Sequence, residues 1–68
     1  MNSDILKGKW QQLKGSIREQ WGELTDDEVA QINGEREQLQ GLLQEKYGYT
    51  RERAEQEINA YLNRYERV

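Results

Sequence analysis

The chain has 68 residues with 10 Lys or Arg against 13 Asp or Glu, a net charge of -3, and 34% hydrophobic residues at a mean hydropathy of -1.21. That length makes one small domain over residues 1–68, whose thin core at about 25 cal/mol/Å² of burial barely offsets ordering entropy. With no Cys and no His, disulfides, thiol chemistry, imidazole metal ligands and an ordinary proton shuttle near neutral pH are excluded.

At the start of the chain no apolar run resembles a signal peptide, and no stretch approaches transmembrane length, so a cytoplasmic protein with no membrane association is expected. Leu6, Trp10, Leu13, Ile17 and Trp21 then recur at steps of four, three, four and four, one stripe of an α-helix. Gly8 and Gly15 fall on the opposite side of that helix. Gly22, just past Trp21, is expected to end it as a left-handed C′ residue.

Thr25 follows as an N-cap with Glu28 three residues later, the pattern of a capping box. Leu24 and Val29 have the spacing of a hydrophobic staple, and Asp26 and Asp27 place negative charge at the positive end of the helix dipole. A helix starting at about Asp26 is predicted. Asn33-Gly34 either ends it after two turns or is crossed by one kinked helix that continues to Tyr47.

In the first case a third helix runs from about Glu35 to Tyr47, with Leu39, Leu42, Leu43 and Tyr47 on one side, and Gly48 ends it. Tyr49-Thr50 repeats the staple-and-cap arrangement, although Arg53 stands where the box needs glutamate. The fourth helix turns Ala54, Ile58, Tyr61, Leu62 and Tyr65 inward, with Arg51/Glu55 and Arg53/Glu57 as outward i,i+4 pairs. Strand patterning is absent. The expected fold is all-α: four short helices.

The six glycines add an organising pattern. Gly8, Gly15 and Gly22 are spaced by seven residues, as are Gly34, Gly41 and Gly48, and the second set begins 26 residues after the first. Gln12-Leu13-Lys14-Gly15 matches Gln38-Leu39-Gln40-Gly41, and Trp21-Gly22 matches Tyr47-Gly48. The chain reads as a duplicated unit.

Charge is uneven: +3 over residues 1–18, -6 over 19–37 and zero over 38–68. The simplest reading is that the two oppositely charged segments pack as neighbours. The sharper one makes Lys7, Lys14 and Arg18 a basic face open to an anion. Aromatic side chains on the apolar stripes supply core volume in a chain with no Phe. Capping accounts for Asp26, Asp27 and Glu28 without a metal or an acid/base pair.

Ser3 and Ser16 have no histidine to activate them, and glycines seven apart make no phosphate loop. The reading is therefore not an enzyme, with no cofactor, metal or small-molecule substrate. The turn at Lys46, Gly48, Thr50, Arg51 and Arg53 is the best candidate contact for an anion or nucleic acid. An isoelectric point near 4.9 argues against a dedicated nucleic-acid module.

Lys9-Trp10-Gln11-Gln12-Leu13-Lys14-Gly15, Arg18-Glu19-Gln20-Trp21-Gly22 and Leu24-Thr25-Asp26-Asp27-Glu28 together resemble the signature of the CsbD-like family of small bacterial proteins. Asn33 to Gly41 and Gln44 to Tyr49 extend the resemblance into the second half. It implies four short helices arranged as two hairpins packed crosswise, expression under stationary-phase or osmotic stress, and no catalytic residues. It also implies likeness to hydrophilins, the strongly hydrophilic glycine-rich stress proteins. The expected function is that of a non-enzymatic stress-response protein, a monomer with a macromolecular partner the residues do not name; a weak nucleic-acid-binding hairpin module is the alternative.

Overall fold

The computed structural model describes residues 3–66, with side chains for 6–65. The side chain of Ser3 lies outside that range. The described residues are all-helical apart from their turns: α1 (Ser3–Gly8), α2 (Trp10–Gln20), α3 (Asp26–Ile32), α4 (Arg36–Tyr47) and α5 (Arg51–Glu66). There are five helices where the apolar periodicity predicts four.

The extra boundary is at Lys9, whose φ of -116° and ψ of 21° leave the helical region. Its carbonyl accepts from both Gln12 and Leu13 N–H at 2.9 Å, restarting the helix at once. Gly8, a poor helix former, sits beside the break. The apolar stripe does not register it, because Leu6, Trp10, Leu13 and Ile17 stay buried on one side across the interruption.

Thr25 caps α3 as the sequence requires. Its Oγ1 accepts from Glu28 N–H at 3.2 Å, and Glu28 Oε1 accepts from Thr25 N–H at 3.0 Å. Leu24 and Val29 are both buried beside the cap. The ends of α3 and α4 differ from the end of α2. Asn33 (φ 52°) and Gly34 (φ 80°) take left-handed conformations that stop α3, and Gly48 (φ 70°) stops α4. The kinked single helix is thereby replaced by two.

Gly22, by contrast, is not left-handed: Trp21 itself ends α2 at φ -125° and ψ 87°, outside the helical region, its N–H bonded to Ile17 C=O at 2.9 Å. Leu24 N–H then reaches back to Trp21 C=O at 3.1 Å. Closing that turn and burying Leu24 satisfies the chain without a positive φ.

The core threads through all five helices. Leu13 and Ile17 of α2, Leu39 and Leu43 of α4, and Ile58 and Leu62 of α5 are fully enclosed. α5 packs chiefly on α4, α2 on α3, and α1 on both α2 and α4. Trp21 meets Tyr61 with ring centroids 5.5 Å apart, joining α5 to the end of α2. Gly34 is a close-contact point: a Cβ there would lie 2.8 Å from Lys7 Cα. Only glycine lets the α3–α4 turn rest on α1.

Candidate functional site

The residues singled out for anion contact fall in two places, and most of their polar groups are occupied. Around the α4–α5 turn, Lys46 Nζ lies 2.7 Å from Glu28 Oε2. Glu28 thus uses one oxygen to close the capping box and the other to hold the end of α4. Its pKa is lowered, first by the Lys46 hydrogen bond and then by the Thr25 N–H. The Lys46 ammonium is raised in turn, mainly by the same bond. Tyr47 adds a second tie across this gap, its hydroxyl accepting from Glu23 N–H at 3.1 Å.

Beyond Gly48, Thr50 Oγ1 accepts from Arg53 N–H at 3.0 Å and so caps α5 even without the glutamate of a full box. Arg53 Nε meets Glu57 Oε2 at 3.0 Å. Its guanidinium also lies 4.7 Å from the centre of the Tyr49 ring, which stacks on Tyr47 at 5.3 Å. The Glu57 hydrogen bond is the main reason its pKa is raised. Arg51 contributes its backbone, its carbonyl accepting from Gln40 Nε2 at 3.2 Å. The outward Arg53/Glu57 pair forms; among the described residues no Arg51–Glu55 ion pair does.

In the other group, Lys7 lies 2.9 Å from Glu35 and Arg18 2.8 Å from Asp26. The basic first segment and the acidic second one are therefore neighbours, the simpler of the two expectations drawn from charge. Among the described residues Lys14 and the Arg51 guanidinium have no carboxylate within salt-bridge distance. The structure thus divides the eight candidates between α1–α2 and the α4–α5 turn rather than gathering them into one patch.

Three polar features escaped the sequence reading. Gln40 is buried at 6% exposure to make its bond to α5, although it sits next to Leu39 on a helix that carries an apolar stripe. Arg36 bonds Asn59, a second link between α4 and α5. The Trp10 indole N–H and the Tyr61 hydroxyl are enclosed without a hydrogen-bond partner among the described residues. Burial pushes the Tyr61 phenol up, with Ser16 the main group acting against it. Nothing in their periodic placement signals this, since both residues are placed by their rings.

Among the described residues no group of three acidic, His or Cys side chains could hold a metal, and no helix is long and apolar enough to cross a membrane. What the geometry defines is a small all-α domain in which three of the four ion pairs among the described residues tie separate elements together.

Comparison with known proteins places that domain. The CsbD-like family model matches residues 4–56, and the chain belongs to that family. It is 55% identical over 64 residues to a UPF0337 protein of Pseudomonas aeruginosa, an alignment covering 94% of this chain and 98% of the relative. A UPF0337 protein of Protochlamydia amoebophila is 45% identical over 65 residues (96% and 98%). The UPF0337 protein YjbJ of Escherichia coli K12 is 48% identical over 66 residues (97% and 96%). No solved structure matches the chain.

Proposed function

We propose that this is a non-enzymatic, cytoplasmic stress-response protein that acts as a hydrophilin-like monomer, through weak polar association with other macromolecules when water is scarce. Membership of the CsbD-like family carries the reading. Support comes from a surface whose cations Lys7, Arg18, Lys46 and Arg53 bond to the protein's own carboxylates. A thin core of this size makes the domain easy to loosen without exposing much apolar surface. The 26-residue register is taken as a true duplication giving two crosswise hairpins, because α2 and α4 begin 26 residues apart. An experimental structure in which α2–α3 fails to superpose on α4 and the start of α5 would refute that part.

The functional test is protection of a client enzyme through freeze–thaw or drying, against albumin at equal mass. Protection should exceed albumin and survive single alanine substitutions at Lys7, Lys14, Arg18, Lys46, Arg51 and Arg53. Protection no better than albumin sinks the proposal. The alternative, a weak nucleic-acid module using Lys46, Gly48, Thr50, Arg51 and Arg53, draws less support because Lys46 and Arg53 face glutamates. It would require affinity for single-stranded or duplex oligonucleotides that falls steeply with added salt.

A further inference from the structure

Gly41 is the one mid-helix glycine of α4, and nothing inside the fold asks for it. A Cβ there would meet no atom within 4 Å, and its backbone is not left-handed. Glycine is a poor residue for a helix interior, so its presence is unexplained by α4 itself. Its surroundings give it a use. A groove of about 500 Å³ on one side is lined by Glu28, Gln31, Ile32, Gln38, Leu42 and Glu45, together with Glu37 and Gly41. A second groove of about 240 Å³ is lined by Gln40, Gln44 and Arg51, again with Glu37 and Gly41. Glu37 and Gly41 line both grooves, and at Gly41 no side chain stands between them, leaving a saddle.

The chemistry of this trough is one-sided. Glu28, Glu37 and Glu45 line its larger part with no basic side chain among the lining residues, and Arg51 lines only the smaller. Glu28 already holds Lys46, while among the described residues Glu37 and Glu45 have no ion pair. Ile32 and the half-buried Leu42 give an apolar floor between the carboxylates. Gln31, Gln38 and Gln44 offer amides that can both donate to and accept from a peptide backbone. The trough is open along its length, a shape for a segment laid across it rather than for an enclosed small molecule.

We propose that this trough is a docking surface for a lysine- or arginine-bearing segment of another protein, crossing α4 at Gly41 with a small apolar side chain against Leu42 and Ile32. Charge complementarity selects that occupant. A nucleic acid would be repelled by the Glu37 and Glu45 carboxylates. A second copy of this chain is a poorer match, since it carries a net charge of -3 and four of its cations, Lys7, Arg18, Lys46 and Arg53, are bonded to its own carboxylates. This goes beyond the diffuse association proposed above and stands without it, because direct binding is measured with no protection assay.

The test titrates the full-length, isotope-labelled protein by NMR with an end-capped peptide of lysines and alanines around one leucine. The same peptide with glutamate for lysine is the control. Shifts should concentrate on Gln31, Glu37, Gly41, Leu42 and Glu45 with the lysine peptide and be absent with the glutamate one. Gly41→Gln fills the saddle while improving helix propensity, so it should stay folded by circular dichroism and weaken binding several-fold. Glu37→Gln and Glu45→Gln should each weaken it by roughly two- to five-fold, as exposed single charges do; they carry the test if Gly41→Gln does not fold. Shifts spread over every acidic surface, or unchanged affinity in the folded Gly41→Gln protein, would reduce the effect to general charge attraction and overturn the site. Concentration-dependent shifts at these residues without peptide would assign the trough to a second copy instead and overturn the partner.

Discussion

Alanine substitutions at Gly34, Gly48 and Gly41 provide a graded test, because the three differ in backbone conformation and in the space a Cβ would meet. Gly34 combines φ of 80° with a backbone neighbour: its added Cβ would sit 2.8 Å from Lys7 Cα and 3.4 Å from Leu6 O. A left-handed alanine costs about 1–2 kcal/mol. Forcing α1 away from the α3–α4 turn adds about 1–3 kcal/mol, the usual range for overpacking. Gly34→Ala should therefore lose roughly 2–5 kcal/mol, most of what a domain this small has. Gly48 shares the left-handed backbone (φ 70°) but faces open space, so Gly48→Ala should lose only about 1–2 kcal/mol. Gly41→Ala, helical and unobstructed, should gain about 0.8–1 kcal/mol. Thermal unfolding followed by circular dichroism resolves these, at about 4–8 °C for each kcal/mol in a domain of this length. If Gly34→Ala melts with the parent, the placement of the α3–α4 turn on α1 is wrong; if Gly41→Ala melts below it, the open helical setting of Gly41 is wrong.

Other perturbations probe other parts of the framework. Thr25→Ala removes a reciprocal cap and should destabilise by roughly 0.5–2 kcal/mol, more than Thr50→Ala, whose hydroxyl makes a single capping bond; equal losses in urea titrations would contradict this. Trp21→Ala empties a side chain only 2% exposed and packed on Tyr61. It should cost about 3–5 kcal/mol, visible as lost helicity and a red shift in Trp10 emission. The pH dependence has two limbs. The Glu28 carboxylate is lowered from 4.5, mainly by Lys46, so its contribution is present above that unfolded value and is lost as pH falls through the depressed folded one. Lys46 and Tyr61 are raised from 10.5 and 10.0, by Glu28 and by burial respectively. Their contributions are present below those values and are lost as pH rises through the folded ones. Urea midpoints against pH should show both limbs, with Glu28→Gln flattening the acid one.

Several outcomes decided by a few adjacent residues are legible in the sequence. Thr25 and Glu28 make both bonds of a capping box within one turn of helix, and Gly48 ends α4 by its own backbone freedom. The buried stripe of Leu6, Trp10, Leu13 and Ile17 follows from spacing alone. The break at Lys9 was invisible because it leaves that spacing intact. Gly22 misled for the opposite reason: its position beside Trp21 imitates Gly48 beside Tyr47, yet Trp21 and Leu24 close the turn by themselves. Gly34 was legible as a stop and illegible as a contact. Its constraint comes from Lys7, 27 residues earlier in the chain, and periodicity carries no information about which backbone will approach a glycine.

The candidate site was harder to read because charge is legible as composition and not as partnership. Lys7, Arg18 and Lys46 look equally available in the sequence, while folding pairs them with Glu35, Asp26 and Glu28. Each of these pairs joins different parts of the chain, so each cation helps to fix the arrangement of the helices. A cation used this way meets an external phosphate only by giving up its internal carboxylate, which lowers its value as an anion contact. The same pairing leaves Glu37 and Glu45 without internal cations beside the bare surface of Gly41. Of the α4 charges without an ion pair among the described residues, Arg36 bonds Asn59 and the two that border the larger groove, Glu37 and Glu45, are negative. That reverses the search suggested by the sequence, where the basic turn after Lys46 drew attention, and makes a cationic polypeptide a better complement to this face of the domain than an anionic one.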